Sequence, residues 1–234
     1  MAANKRTAEK DKPVASSVTG AGSPFAAQAE TENLNEGTLG FERIVFFSDA
    51  VFAIAITLLA LEIRLGEIPD ALVDTQFVQK LWELWPEVFG FFLGFSVIGA
   101  YWISHHRMFR YIKRYDSNLM WLNLLFLALI AISPFPTSVI SAYGQHQPAQ
   151  IFYALCVSIA GLTKALLWWY ACHNHRLISK DLDKKVIRQI TLRGLVFPIL
   201  FLISIPFTWL GPVIPIVIWA LTPAATSLVA RLTA

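Results

Sequence analysis

The 234 residues are 56% apolar and only 15% charged, and the mean hydropathy is +0.54. Apolar side chains in that proportion exceed what a water-soluble fold can hide, so the surplus has to face lipid. The formal charge of +3 comes from mixed acids and bases and gives no polyanion-binding footprint, which removes nucleic acid from the expected partners.

Residues 1–37 are rich in Ala, Lys, Glu, Ser and Thr and lack an apolar run, so they read as a disordered, uncleaved cytoplasmic tail. Six apolar stretches follow at about 41–64, 86–110, 117–141, 149–173, 186–209 and 212–232, each near the length that crosses a bilayer as a helix. Residues 38–234 are therefore expected to form a single all-α, six-helix integral membrane domain. Between the first two spans, Asp70 to Trp85 mixes apolar and acidic residues at helical spacing, as a short helix lying on the outer surface does. Pro86, Pro148 and Pro212 fall near helix starts, where a missing N–H costs least. Pro134, Pro136 and Pro223 are expected to kink spans three and six. Trp82, Trp85, Trp168, Trp169 and Trp209 lie near span ends, where indoles anchor at the interface. Cys156 and Cys172 share the fourth stretch roughly 24 Å apart, too far for a disulfide within the chain.

Basic residues set the threading. Lys5, Arg6, Lys10 and Lys12 precede span one; Arg107, Arg110, Lys113 and Arg114 join spans two and three. Arg176, Lys180, Lys184, Lys185 and Arg188 join spans four and five, while the alternate connections are nearly bare. Both termini are expected in the cytoplasm of a multi-pass protein of the cell membrane.

Span one contains the anomaly. Asp49 lies roughly 9 Å along the helix from Arg43, at a spacing that puts the two on different faces, so its partner must come from another helix. Trp102, His105 and His106 at the end of span two, and Asn118 and Asn123 at the start of span three, arrive at the same depth. With Arg43, Phe47, Ser48 and Asp49 they form an expected inner polar network, read either as glue between helices or as a proton-sensitive element. Beyond it, Ile54, Leu58 and Leu61 repeat at helical spacing, extended by Phe47 and Val51. Taken alone, such a stripe faces lipid or a neighbouring helix. Thr57, on the adjoining face, either bonds its own backbone or supports contacts between first helices.

The run Arg43 to Asp49, with Arg, three residues, then Phe47, Ser48 and Asp49, resembles the signature of the transmembrane protein 175 family of endolysosomal and prokaryotic potassium channels. The likeness continues through Tyr101, Trp102, His105, His106, Arg107 and Phe109 and through Asn123, Leu124, Pro134, Phe135, Pro136 and Thr137. It implies a six-helix subunit that assembles as a homotetramer, with the first helices lining the pore. Ile54 would form the hydrophobic constriction, Leu58 and Leu61 further apolar rings, and Thr57 a support between pore helices. It also implies a potassium-permeable cation channel, weakly selective for potassium over sodium. Its partners would be the lipid bilayer, its own copies, and potassium and other monovalent cations. No cofactor beyond the permeating ion and no metal site is expected. The chain contains no Thr-Val-Gly-Tyr-Gly filter, so selection would have to occur in an apolar ring.

Two rivals remain open on the residues. A cation- or proton-coupled secondary transporter would use Asp49 and His105, and Lys164 in the middle of span four is the best argument for it. An enzyme is not expected: the pairs His105 with His106 and His173 with His175 miss the spacing of a helical zinc site, and no catalytic residues or nucleophile elbow are visible.

Overall fold

The computed structural model describes residues 24–67 and 73–233, with side chains from residue 39 onward. Two units are distinguished, Met1–Leu39 and Gly40–Ala234. Residues 1–23 of the expected tail, and 68–72 before the expected surface helix, lie outside the described residues. From residue 24 the backbone is helical, inside the segment read as a tail.

Among the described residues the chain forms α1 (Pro24–Ala60), α2 (Val73–Glu83), α3 (Trp85–Phe109), α4 (Ser117–Ala131), α5 (Pro134–Tyr143), α6 (Gln147–Cys172), α7 (Lys184–Phe207) and α8 (Val213–Leu232). Six segments among the described residues are long and apolar enough to cross a membrane: Leu39–Ala60, Val73–Phe109, Ser117–Tyr143, Gln147–His175, Lys184–Phe207 and Val213–Leu232. The first ends earlier than expected. After Ala60, Glu62, Arg64 and Gly66 leave the apolar run, and Arg64 Nε donates to the Leu61 carbonyl at 3.2 Å. α2 buries none of its residues and stops at Leu84, where Pro86 opens α3 within its first turn.

The third span breaks where its prolines fall. Pro134 and Pro136 cannot donate to the carbonyls of Ile130 and Ile132, and both acceptors are met one residue short. Ser133 N–H donates to Ile130 O at 3.0 Å and Phe135 N–H to Ile132 O at 3.0 Å. Remaking these bonds is obligatory in lipid, where no water can substitute. By contrast, α8 continues through Pro223 without interruption, as α7 does through Pro198 and Pro206.

α6 is the hub, packing on α4, α5 and α7, while α8 packs on α7. One core, including Phe52, Ile98, Tyr101, Phe126, Tyr153 and Phe201, fills the middle of the bundle. A second, around Met108, Leu119, Leu167, Ile178 and Ile190, sits at the end where α3 and α6 finish. There the two basic connections are tied together, because Lys113 N–H donates to Leu177 O at 2.8 Å. Asp116 caps α4 by accepting from Leu119 N–H at 2.8 Å, and takes Tyr170 OH at 2.7 Å and Arg176 Nε at 3.2 Å. At the opposite end, Gln150 Nε2 donates to the carbonyls of Gly144 and Pro212. Trp82, Trp85, Trp169 and Trp209 are exposed as anchors should be; Trp168 is not. It is buried and donates Nε1 to Thr191 Oγ1 at 3.0 Å, because its helix face turns toward α7 rather than outward.

Candidate functional site

In α1 the meaningful contrast is between covered and uncovered faces. Ser48, Phe52, Ala55 and Leu59 recur at spacings of four, three and four and are all buried. Phe52 meets His105 of α3 at 5.6 Å and Phe126 of α4 at 5.9 Å between ring centroids. This ridge fixes how α1 is rotated. Phe47, Ile54 and Leu58 consequently point away from the subunit, with Ile54 59% exposed, and Val51 is half-buried between the faces. Leu61 is exposed too, but stands one residue beyond the helix, its N–H donating to Leu58 O at 3.1 Å. Thr57 is exposed and bonds its own helix, donating Oγ1 to the Ile54 carbonyl at 2.9 Å.

Much of the expected polar network comes together. Ser48 Oγ donates to the Ile44 carbonyl at 2.8 Å and accepts from Asn123 Nδ2 at 3.0 Å. Asn123 Oδ1 lies 2.9 Å from His105 Nε2, an arrangement that puts the imidazole proton on that nitrogen. All three side chains are buried. Asp49, half-buried on the other flank of α1, accepts from Trp102 Nε1 at 2.8 Å. Ser48, Asp49, His105 and Asn123 therefore each have a partner on a different helix, which offsets the cost of placing them in lipid. Arg43 and Phe47 stand outside this chain. Both are exposed and border a hollow of about 350 Å³ between α1 and α4. Asn118 pairs instead with Tyr170, donating Nδ2 at 3.2 Å.

Sequence reasoning missed the contact that seats α5 against α3. A Cβ at Gly90 would lie 1.7 Å from Ser141 Oγ, and one at Gly94 2.8 Å from Thr137 Cγ2. Glycines four apart facing hydroxyl residues four apart let the two backbones approach closely. The signal was present in the sequence as Gly90, three residues, Gly94 inside an apolar run.

Comparison with known proteins matches this site. The TMEM175 family model, described as an endosomal/lysosomal potassium channel, matches residues 43–134, from Arg43 to the break at Pro134. A potassium channel of Streptomyces collinus is 35% identical over 156 residues, covering 64% of this chain and 74% of that protein. A potassium channel of Chamaesiphon minutus is 34% identical over 173 residues, covering 72% and 84%. The human endosomal/lysosomal proton channel TMEM175 is 26% identical, and this chain spans 32% of its length. The crystal structure of a lysosomal potassium-selective channel TMEM175 homologue from Chamaesiphon minutus superposes with a TM-score of 0.70 at 29% identity, over 82% of this chain and 98% of that one. The fold and these relatives define a class of membrane ion channels, not enzymes. The chain belongs to the TMEM175 family.

Proposed function

We propose that the chain is the subunit of a potassium-permeable cation channel in which four copies bring their α1 helices around one axis. The observation that carries this reading is the uncovered apolar face of α1, with Ile54 and Leu58 outward while Ser48, Phe52, Ala55 and Leu59 are locked inward. A face held in one rotation by a polar network is pre-organised to meet its own copies, and the stretch that contains it falls inside the region matched by the TMEM175 family model. Ile54 forms the narrowest ring, with Leu58 and Leu61 beyond it and Thr57 steadying the contact between neighbouring helices. A ring of isoleucines offers no ligand to replace an ion's hydration shell, so it gates by dewetting and favours the cation that sheds water more easily. Potassium then passes better than sodium by a modest factor. The basic connections at the end where α3 and α6 finish support a cytoplasmic placement of both termini in the cell membrane.

The coupled-transporter reading would need His105 or Asp49 within reach of an ion path. His105 is sealed, with ring centroids 4.2 Å from Phe109 and 5.6 Å from both Phe52 and Phe126. Reconstitution into liposomes tests the choice: potassium should move down its own gradient with no sodium or proton gradient required. Obligatory co-movement of a second ion would reject the channel.

A further inference from the structure

Lys164 lies about two turns before α6 ends and is 4% exposed. Its Nζ donates to Ser104 Oγ at 2.6 Å and sits 5.1 Å from the centroid of the Tyr101 ring. Neither partner neutralises an ammonium, and no ion pair described in the chain reaches it. Arg193 of α7 comes to the same place. Its guanidinium donates to the Ala230 carbonyl at 2.9 Å, while its Nε is buried with no hydrogen-bond partner. Arg107 of α3 completes the group. All three basic side chains line one cavity of about 260 Å³ between α3, α6, α7 and α8, together with Ile103, Phe197 and Ser227, and no Asp or Glu among the described residues lines it.

Three basic side chains around a single intramembrane cavity, with an unsatisfied donor and no described counter-charge, form a site that an anion would complete. We infer that the cavity seats the phosphate of an anionic phospholipid between Lys164, Arg107 and Arg193, with the acyl chains against its apolar side. A lipid fits better than a dissolved anion for two reasons. The four helices that form the cavity are all membrane spans, and Ala100, Ile103, Phe197, Pro223 and Ala230 give it an oily wall beside the charges. Arg107 stands in the last turn of α3, and Lys164 and Arg193 lie about two turns inside α6 and α7 from the same end of the bundle, the side on which basic pockets between spans hold acidic headgroups. No described residue of α1 lines the cavity, and the inference does not depend on which ion the channel passes.

The test uses the whole protein, purified in detergent, with bound lipid counted by native mass spectrometry and thermal stability followed during titration. Phosphatidylglycerol should be retained and should raise the unfolding temperature, whereas phosphatidylcholine and inorganic phosphate should do neither at matched concentration. Arg107→Gln is at an exposed position and should fold normally; Arg193→Gln removes the unsatisfied donor. Each should weaken phosphatidylglycerol retention about fivefold, the effect of one basic side chain near an acidic membrane surface. Equal retention of phosphatidylglycerol by the wild type and Arg107→Gln would overturn the proposal, as would equal stabilisation by phosphatidylcholine. A shift of the same size with inorganic phosphate alone would replace the lipid with an aqueous anion.

Discussion

Asn123 Nδ2 donates to Ser48 Oγ across 3.0 Å, and the same amide turns its oxygen to His105 at 2.9 Å. One buried side chain on α4 thus orients both α1 and α3. Asn123→Leu keeps the volume roughly and leaves Ser48 with only the Ile44 carbonyl and His105 with none of these partners. The expected cost is about 1–2 kcal/mol, the size of such bonds between membrane helices. Thermal unfolding in detergent checks it, and an unchanged midpoint would show that the amide is idle.

Ile54→Asn should wet the proposed constriction. Single-channel current should rise, and the potassium-to-sodium permeability ratio should fall toward unity, because a polar ring removes the dewetting barrier on which discrimination depends. Recordings in mixed potassium and sodium read both quantities. If current and ratio both match the wild type, Ile54 is not in the ion path.

Gly90→Ala places a methyl 1.7 Å from Ser141 Oγ and 2.9 Å from its Cβ, so α5 has to move away from α3. Overpacking of this kind costs about 1–3 kcal/mol. Gly99→Ala has open space around it and serves as the matched control, with little change expected. The comparison is made on detergent-solubilised yield and unfolding temperature.

Asp116 gives a pH dependence. Partial burial pushes its pKa up, but the Leu119 N–H, the Tyr170 hydroxyl and Arg176 outweigh that and hold the carboxyl below its ordinary value. A carboxylate more acidic in the folded state than in the unfolded contributes stability above its unfolded pKa and loses it as pH falls through the folded one. Wild-type stability should therefore drop on acidification below the usual aspartate range, and Asp116→Asn should flatten that part of the curve. Unfolding midpoints measured across the acidic range decide the matter.

Span number, the proline break at Pro134 and the meeting of Ser48, Asp49, Trp102, His105 and Asn123 were legible because each follows from a local rule. Twenty apolar residues cross a bilayer, proline removes a donor, and a polar group in lipid requires a partner. The rotation of α1 was less so. Ser48, Phe52, Ala55 and Leu59 are no more apolar than Phe47, Ile54 and Leu58, and in a membrane hydrophobicity does not tell the packed face from the free one. Trp168 was misread for the same reason: position along a span does not say which way a side chain turns. Lys164 stood out as a charge in an apolar run, but its gathering with Arg107 and Arg193 depends on three helices meeting.

The segment Ser117–Tyr143 is one continuous greasy stretch to any machinery that inserts it, yet its halves, both packed on α6, differ in their second neighbour. α4 is seated on α6 and bonded to α1, whereas α5 nestles in the glycine groove of α3. The two bonds that cross the break, from Ser133 to Ile130 and from Phe135 to Ile132, fix the change of direction between the halves. The hold on the first helix, made by Asn123, and the seat against α3, made at Thr137 and Ser141, thus lie on opposite sides of the break.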